Sequence, residues 1–319
     1  MNAVLIIDKP AGLTSHDVVN RARRILNERS IGHLGTLDPM ATGVLPLVIG
    51  SLTRLAQFYT ASEKTYEGTI RFGFATDTYD ADGEATTATQ DVTLQADQVE
   101  AVATHFRGLI EQTPPPFSAK KIKGVPAYKL ARKQQEVVLK PVQVEIKALE
   151  ILSVERDRVR FRARVASGTY MRSVAHEMGR ELGCGAHLES LRRTAVAEFT
   201  LEDAHTLDEV ASHCHPGRSL PFVQGKTDDA ANPAVAGLAV ACDSDVEALF
   251  VHPRKLLPQF PSVTADEPTA ARIRSGRTVN LPELSRARQV KVFANQTDLI
   301  AIATRVAGTL FHPKIVLCT

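Results

Sequence analysis

The sequence predicts an α+β protein, with a mixed, largely antiparallel sheet flanked by helices and a small C-terminal β-domain. Strand-like and helix-like segments are not evenly interleaved along the 319 residues, which argues against a parallel α/β sheet. Short strands follow one another closely over residues 289–317, which is typical of a small β-barrel. We therefore expect two domains, over residues 1–255 and 256–319.

The first elements follow from the spacing of apolar residues. Residues 3–7 are an uninterrupted apolar run and predict a strand, whereas residues 16–28 repeat apolar side chains at helical spacing. Thr14 or Ser15 is the expected N-cap of that helix, because either hydroxyl can accept a hydrogen bond from a free backbone amide. The order continues with a loop over 31–43, a strand over 44–50, a helix over 51–63 and a strand over 64–76.

The middle of the chain predicts a helix, an antiparallel strand pair and a second helix. Their ranges are 94–112 for the first helix, 142–157 and 158–168 for the strands, and 169–184 for the second helix, with Gly183 at its end. Residues 211–248 are small and polar without periodicity, and predict a flexible insertion. A linker with several prolines then leads to a short helix and turn over 264–282.

The net charge of +2 says little about partners, but the distribution of charge is informative. Residues 118–140 hold six lysines and one arginine against one glutamate, a local excess of +6. Arginines alternate with apolar residues over 158–165, which predicts a strand with one guanidinium face. Several basic stripes on a balanced protein indicate an RNA or DNA backbone as partner, although a solvated charged face would show the same pattern.

Several classes of protein are disfavoured. No segment approaches the ~18 apolar residues of a membrane span, and the N-terminal apolar run is too short for a signal peptide, so we expect a cytoplasmic protein without membrane contact. The four cysteines form no C-x-x-C pair, and residues 213–215 with Cys242 match no common zinc site. No phosphate-binding glycine motif is present, and the acidic loop at Asp80 and Asp82 lacks two key calcium ligands. We therefore expect neither a metal nor a cofactor.

Asp38 is the strongest candidate for chemistry. It stands in an otherwise neutral, apolar stretch, after glycines that free the backbone and before a proline that fixes φ. That arrangement holds a carboxylate on a preset loop, where functional residues are common. An arginine partner would keep the carboxylate ionised in an apolar pocket, and Arg172 is the candidate. The competing interpretation is a turn aspartate that accepts hydrogen bonds from the amides of Thr42 or Gly43.

The stretch around Asp38, residues 32–50, resembles the catalytic-aspartate motif of the TruB family of tRNA pseudouridine synthases. Further segments resemble the same family in family order, at residues 5–19, 64–84, 112–132, 165–196 and 271–279. The resemblance implies a pseudouridine synthase fold with a C-terminal, PUA-like RNA-binding β-domain. It also implies isomerisation of uridine 55 in the T-loop of tRNA, through base flipping and attack by an aspartate, without a cofactor.

The resemblance implies roles for seven residues. Asp38 matches the nucleophile, Tyr66 the tyrosine that stacks on the target base, and Arg172 the arginine paired with the aspartate. The implied substrate-binding residues are His33, where flipped nucleotides leave the loop, Leu191 in the base pocket, Asp80 as an RNA contact, and Lys9 in a supporting N-terminal motif. Whether the aspartate attacks C6, attacks C1′ or takes the C2′ proton is left open.

Two departures from the family and three other interpretations also stay open. Leu34 stands where the family usually has threonine, and residues 211–248 have no clear counterpart. A non-catalytic RNA-binding or RNA-folding factor would use the same basic stripes, and turnover on a T-arm stem-loop separates it from an enzyme. A metal-dependent nuclease or phosphotransferase would be built on Asp77, Asp80 and Asp82, and full activity in chelator would exclude it. The third is a related synthase with another RNA target. We expect a monomer, because a long RNA groove and an appended domain leave no obvious self-complementary patch.

Overall fold

The computed structural model describes residues 1–118, 120–122, 124–127, 130, 139–214 and 244–317. Within these residues, the strands form a ten-stranded sheet, a five-stranded sheet and a short two-stranded hairpin. Helices pack against the larger sheet, so the predicted α+β class is confirmed.

The larger sheet and the hairpin account for the strands before residue 206. In chain order they are β1 (Ala3–Lys9), β2 (Ile31–His33), β3 (Thr42–Ile49), β4 (Lys64–Phe72), β5 (Gly108–Gln112), β6 (Lys121–Ile122), β7 (Val125–Pro126), β8 (Val142–Glu155), β9 (Arg158–Val165), β10 (Ala186–Val196), β11 (Phe199–Thr200) and β12 (Ala204–His205). The helices of this part are α1 (Ser15–Leu26), α2 (Ala56–Tyr59), α3 (Ala96–His105), α4 (Met171–Glu181), α5 (Leu207–Cys214) and α6 (Ser244–Glu247). Short 3₁₀ helices span Gly50–Leu55, Leu201–Asp203 and Pro253–Lys255.

The strand order of the larger sheet is β12-β1-β3-β10-β4-β9-β8-β5, with β2 beside β3 and β11 beside β10. The pairs β1–β12 and β3–β10 are parallel and the other pairs are antiparallel, so the sheet is mixed and largely antiparallel as predicted. The parallel pairing of β3 with β10 is short, with Arg192 opposite Thr42 and Arg193 opposite Gly43. It places β3, which follows Asp38, beside β10, and β4 lies on the other side of β10.

The sheet is buried on both faces at β1 and β3. Leu5 and Ile7 pack into the core beneath α1, whereas Val4 and Ile6 pack into a second core shared with the C-terminal sheet. Successive strand residues point to opposite faces, so a strand covered on both sides needs apolar residues at every position. This explains why both strands read as uninterrupted apolar runs. Thr14 caps α1 in a capping box with Asp17, which confirms one of the two N-cap candidates.

The C-terminal part forms a small β-domain, as predicted. Its elements are β13 (Ser262–Thr264), α7 (Glu267–Arg274), β14 (Val279–Asn280), β15 (Gln289–Phe293), β16 (Leu299–Ala307) and β17 (Leu310–Val316). The strand order is β13-β15-β16-β17-β14. Phe293 and Ile302 pack in the core shared with the larger sheet, and Arg54 donates a 2.7 Å hydrogen bond to the carbonyl of Val316. The two parts therefore share an apolar interface.

Three local predictions are wrong at element boundaries. The helix predicted over 94–112 ends at His105, because Gly108 adopts φ = +85° and begins β5, which pairs with β8. The helix predicted over 51–63 is a 3₁₀ turn followed by the one-turn α2. The loop predicted over 31–43 contains β2, which pairs with the end of β3. In the first and third cases long-range strand pairing decided the conformation, which local apolar spacing does not report.

The predicted guanidinium face of β9 is present, but it is partly neutralised. The side chains of Arg158, Arg160, Arg162 and Arg164 all alternate with buried residues. Arg162 lies 2.8 Å from Glu67, and Arg158 lies 2.9 Å from Glu189. These pairs reduce the charge that this face would offer to an RNA backbone.

Two predicted segments lie largely outside the described residues. These are most of the basic stretch 118–140 and residues 215–243 of the predicted insertion. At the edges of that insertion the structure has α5 and α6, so residues 211–214 and 244–247 are helical rather than irregular. No helix in the described part of the chain is long and apolar enough to cross a membrane.

Candidate active site

Residues 34–41 form a loop that carries Asp38, and we call it the Asp38 loop. A cleft of about 960 Å³ opens beside this loop. Its walls come from this loop, from β4 and β10, and from the start of α4. Six of the seven residues implied by the family resemblance line it: His33, Asp38, Tyr66, Asp80, Arg172 and Leu191. The seventh, Lys9, lies behind the loop. The tertiary structure thus gathers side chains from distant parts of the sequence into one cleft.

The Asp38 loop is held by the N-terminal segment. The hydroxyl of Ser15 accepts a 2.8 Å hydrogen bond from the Leu37 amide and donates one of 3.1 Å to the Leu37 carbonyl. Lys9 Nζ donates a 3.1 Å hydrogen bond to the carbonyl of Pro39. These contacts lie on both sides of Asp38, so the backbone that carries its carboxylate is fixed by tertiary hydrogen bonds as well as by the proline ring.

Arg193 of β10 holds the same loop from the side of the sheet. Its guanidinium donates hydrogen bonds to the carbonyls of Gly35 at 3.0 Å, Thr36 at 3.3 Å and Val44 at 2.8 Å. The residue is only 1% exposed. Burial lowers the pKa of Arg193, while the nearby Tyr66 acts in the opposite direction. Arg193 still stays protonated, because a guanidinium does not deprotonate in proteins.

Two glycines make this arrangement possible. Gly43 has φ = +98°, and a Cβ there would clash with the carbonyl oxygen of Arg193. Gly35 has φ = +117° and offers its carbonyl to the same arginine. Both positions lie in the region that L-residues avoid, so the freedom expected from glycines before Asp38 is required at Gly35.

Asp38 and Arg172 are in direct contact. Arg172 lies in the first turn of α4, where Nη2 donates a 3.0 Å hydrogen bond to Oδ1 and Nε lies 2.9 Å from Oδ2 without the alignment of a hydrogen bond. The Arg172 side chain is 5% exposed and that of Asp38 is 34% exposed. The carboxylate is therefore held by a buried cation while it stays open to the cleft.

Arg172 is itself fixed by three further contacts. Nη1 donates a 3.1 Å hydrogen bond to the carbonyl of Thr78 and lies 3.5 Å from Asp80 Oδ2. Nη2 also donates a 3.0 Å hydrogen bond to the carbonyl of Phe117. Arg172 thus joins two carboxylates, Asp38 and Asp80, into one buried network.

Asp80 belongs to this network rather than to the surface. The loop that carries it is joined to β10, because the amide of Leu188 donates to the Tyr79 carbonyl and the amide of Ala81 donates to the Leu188 carbonyl, both at 3.0 Å. The Asp80 side chain accepts a 2.5 Å hydrogen bond from the Thr78 hydroxyl. Burial raises the pKa of Asp80, and the Thr78 hydrogen bond and the Arg172 charge act against that rise. Its implied contact with RNA stays a prediction, and the partner in the structure is Arg172.

Tyr66 and Leu191 form the apolar side of the cleft. The two strands pair so that Tyr66 of β4 lies opposite Arg193, and Leu191 of β10 lies opposite Gly68. Both side chains are buried and both line the cleft. An aromatic and an aliphatic side chain on one wall can hold the face of a planar base.

His33 and Lys9 differ in their access to the cleft. His33 lines it, with Nδ1 buried and without a hydrogen-bond partner in the described part of the chain, and burial together with the Arg193 charge lowers its pKa. Lys9 is fully buried and donates to the carbonyls of Pro10 and Pro39. Burial lowers the pKa of Lys9 to about 8. Lys9 therefore contacts the Asp38 loop, and its implied supporting role stays a prediction.

The described residues contain no group of three or more His, Cys, Asp or Glu side chains arranged to hold a metal ion. Asp80, one member of the acidic loop, is paired with Arg172 instead. His215 and Cys242, which a metal site near residue 213 would need, lie outside the described residues.

Arg193 is not among the site residues predicted from the sequence. A signal was present, because a strand period places Arg193 on the same face as Leu191 and opposite to Arg192. Two adjacent arginines in a strand cannot share one environment, so one of them had to point towards the interior or towards the cleft.

Comparisons with known proteins identify the family. Residues 23–171 match the model described as the TruB family pseudouridylate synthase N-terminal domain, and residues 172–219 match the tRNA pseudouridylate synthase B C-terminal domain. A tRNA pseudouridine synthase B of Solibacter usitatus is 48% identical over 99% of this chain and 100% of its own length. Another, from Burkholderia lata, is 38% identical over 99% of this chain and 90% of its own length.

Solved structures support the same fold. One is described as an H/ACA RNP bound to a substrate RNA containing 2′-deoxyuridine, with a TM-score of 0.67, 22% identity and coverage of 99% of this chain and 85% of the other. Another, a Cbf5-Nop10-Gar1 complex, has a TM-score of 0.66, 23% identity and the same coverage. Together the matches confirm the predicted pseudouridine synthase fold. The chain belongs to the TruB family of pseudouridylate synthases, and it is an isomerase.

Proposed function

We propose that this chain converts uridine 55 in the T-loop of tRNA into pseudouridine, with Asp38 as the reacting carboxylate and without a cofactor. The observation that carries the proposal is the Asp38–Arg172 pair, which faces a cleft also lined by Tyr66 and Leu191. Family membership supports tRNA pseudouridine synthesis as the activity. The position of the uridine, its eversion and the role of each side chain are proposed from the geometry.

The reaction rearranges one nucleoside. The C1′–N1 bond breaks and a C1′–C5 bond forms, while C5 loses a proton and N1 gains one. The nucleoside is neither oxidised nor reduced overall and no phosphoryl group is transferred, so the net change needs neither a redox partner nor a nucleoside triphosphate. What the protein must supply is an exposed base, a reactive group and a place for protons.

Eversion of the uridine comes first. A base inside a stacked loop is out of reach, and turning it out costs a few kcal/mol. The wall formed by Tyr66 and Leu191 offsets that cost, because an aromatic ring stacks on an unstacked base with about 1–3 kcal/mol. Tyr66 lies beside Arg193, so its ring has a fixed position before the RNA arrives.

Asp38 then acts as a nucleophile or as a base. A carboxylate serves either role, and Arg172 holds both of its oxygens in place, at 3.0 Å from Nη2 and 2.9 Å from Nε. The side chain is one-third exposed towards the cleft, so a bound nucleoside can reach it. Asp80 on the far side of Arg172 holds the guanidinium in position, which makes Asp80 a positioning residue in this proposal.

RNA binding extends beyond the cleft. We assign residues 1–255 to a catalytic domain and residues 256–319 to a PUA-like RNA-binding domain, which together hold the T-arm as a monomer. Most of the affinity comes from contacts with phosphates, as in other RNA complexes, so a change at the reacting carboxylate affects binding little.

Asp38→Asn tests the proposal on a T-arm stem-loop with tritium at C5 of the target uridine. We expect no tritium release, because an amide neither attacks nor takes the proton, while the stem-loop still binds with nearly unchanged affinity. Asp91→Asn is the matched control, since Asp91 is exposed and pairs only loosely with Arg156 at 3.2 Å. Substantial tritium release by the Asp38 variant would contradict the assignment. Mapping pseudouridine in RNA from a strain that lacks the gene tests the site, with loss expected at position 55 of tRNA.

A further inference from the structure

Lys64 is a cation on the cleft wall without an acidic partner. It begins β4 and lines the cleft, two residues before Tyr66. Its Nζ donates a 2.6 Å hydrogen bond to the carbonyl of Ser62. In the described part of the chain, no carboxylate forms an ion pair with it, and the charge that acts on it is that of Arg193, which is also positive. The neighbouring Glu63 is already paired with Lys147.

The surroundings of Lys64 concentrate positive charge on one side of the cleft. A Cβ placed on Gly35 would lie 3.8 Å from Lys64 Cε and 3.6 Å from Arg193 Nη1, so both cations border the same turn of the Asp38 loop. The carboxylates nearest to the reacting centre, Asp38 and Asp80, are both engaged by Arg172. Within the described residues, no carboxylate is among the groups whose charge acts on Lys64, although the charge of Asp38 does act on Arg193.

An unpaired, half-buried ammonium group is unfavourable in the free protein. Burial lowers the pKa of Lys64 to about 8, because desolvation and the Arg193 charge both disfavour the protonated form. A charge in such a place is usually paired. An anion that enters the cleft with the substrate would supply the missing partner.

We propose that Lys64 is a phosphate-binding residue, whose ammonium group contacts the RNA phosphodiester that flanks the uridine held by Tyr66. Residues two apart on a strand point to the same face and lie about 7 Å apart, which is comparable to the separation of base and phosphate within one nucleotide. The inference deepens the proposed function, because it takes RNA as the substrate. Lys64 binds the backbone of the everted nucleotide and Tyr66 binds its base.

The salt dependence of binding separates this role from a structural one. We expect Lys64→Gln to weaken binding of a T-arm stem-loop about tenfold and to lower the slope of log K against log salt by about one contact, or ~0.7–0.9. Lys147→Gln is the matched control, because it removes the same charge from a lysine paired with Glu63 and should leave the slope unchanged. Lys64→Arg keeps the charge and should keep the slope. Two results would overturn the proposal. One is a folded Lys64→Gln protein whose salt slope equals that of the wild type, and the other is a Lys64→Arg protein whose salt slope is reduced as in Lys64→Gln.

A neutral linkage in the RNA identifies the phosphate. Stem-loops with a single methylphosphonate on the 5′ or the 3′ side of the target uridine are bound to the wild type and to Lys64→Gln. At one of these positions the neutral linkage should weaken binding by the wild type but not by the variant, since both changes remove the same contact. Independent losses at both positions would show that Lys64 binds neither phosphate and would refute the inference.

The pH dependence gives a second readout. Affinity should fall as pH rises through about 8, where free Lys64 loses its proton, and Lys64→Arg should bind with a flatter profile between pH 7 and 9. The other groups near Lys64 do not produce this difference, since Arg193 stays charged and the pKa of His33 lies below its ordinary 6.5. Lys9 titrates in the same range, but it is present in both the wild type and Lys64→Arg, so its contribution does not change the difference between their profiles. Equal profiles in the two proteins would contradict the proposal.

These outcomes are distinguishable from failure of the proposed function. All three measurements report binding and need no turnover. Were the wild type to bind the stem-loop without releasing tritium, the proposed function would fail while the Lys64 contact could still be read from the salt slope. If the wild type is active and Lys64→Gln leaves the salt slope of binding unchanged, only the proposed phosphate contact of Lys64 is contradicted.

Discussion

Arg192 and Arg193 are neighbours on β10 and lie in opposite environments. Arg192 forms two hydrogen bonds to the Asp8 carboxylate, at 3.1 Å and 2.7 Å, with 42% of its side chain exposed. Arg193 is 1% exposed, and its hydrogen bonds go to backbone carbonyls of the Asp38 loop and of β3. The same type of residue thus forms a surface ion pair on one face of the sheet and supports the loop of the candidate active site on the other.

The difference shows that the partner, and not the residue type, sets the importance of an arginine here. A surface ion pair contributes about 0–1 kcal/mol, because water screens it. A buried guanidinium that satisfies several carbonyls cannot be removed without leaving those carbonyls unpaired, at about 1–3 kcal/mol each. Arg172, which is buried against Asp38, extends the comparison to a residue that contacts the proposed reacting group.

The largest effect is expected at Arg172. Arg172→Lys should lower kcat for tritium release by about 10²-fold or more, because an ammonium group cannot contact both oxygens of Asp38 and also hold Asp80 and two carbonyls. Single-turnover measurement on the T-arm stem-loop separates this loss from slow product release. A near-normal kcat would contradict the difference drawn between the two environments, since the buried Arg172–Asp38 pair would then be as dispensable as the surface Arg192–Asp8 pair.

A smaller but clear effect is expected at Arg193. Arg193→Lys should lower kcat on the order of 10-fold to 10²-fold and lower the Tm, because lysine lacks the planar fork that reaches the carbonyls of Gly35, Thr36 and Val44. Binding of the stem-loop should change less than about threefold, since Arg193 acts through the Asp38 loop. A lower Tm with unchanged kcat in the folded fraction would show a role in stability alone.

The smallest effect is expected on the outer face. Arg192→Lys should change the free energy of unfolding by only about 0.5 kcal/mol and leave kcat within about twofold, because the pair with Asp8 is exposed. Urea unfolding and tritium release, measured beside Arg193→Lys, make the comparison at adjacent positions. Equal losses in the two variants would mean that burial does not separate them.

Much of the fold was predictable from local patterns. Alternation identified β8 and β9, helical spacing and Thr14 identified α1, and uninterrupted apolar runs identified β1 and β3. The failures lie where distant chain segments decide the conformation. Local spacing predicts β5 as a continuation of α3 and β2 as loop, because it does not report their pairing partners β8 and β3, which lie elsewhere in the sequence. The proposed division at residue 255 stays a prediction.

Asp38 could be identified as the candidate reacting residue without the structure, because it is a lone carboxylate between glycines and a proline in a chain with the motifs of one enzyme family. The groups that surround this carboxylate follow from the folding of distant segments against one another. The tertiary structure brought Arg172 against both Asp38 and Asp80, and it placed Arg193 against the Asp38 loop. The physical reason is that reactivity depends on burial and on the charges within a few ångströms, and these are set by strand register and packing rather than by neighbours along the chain.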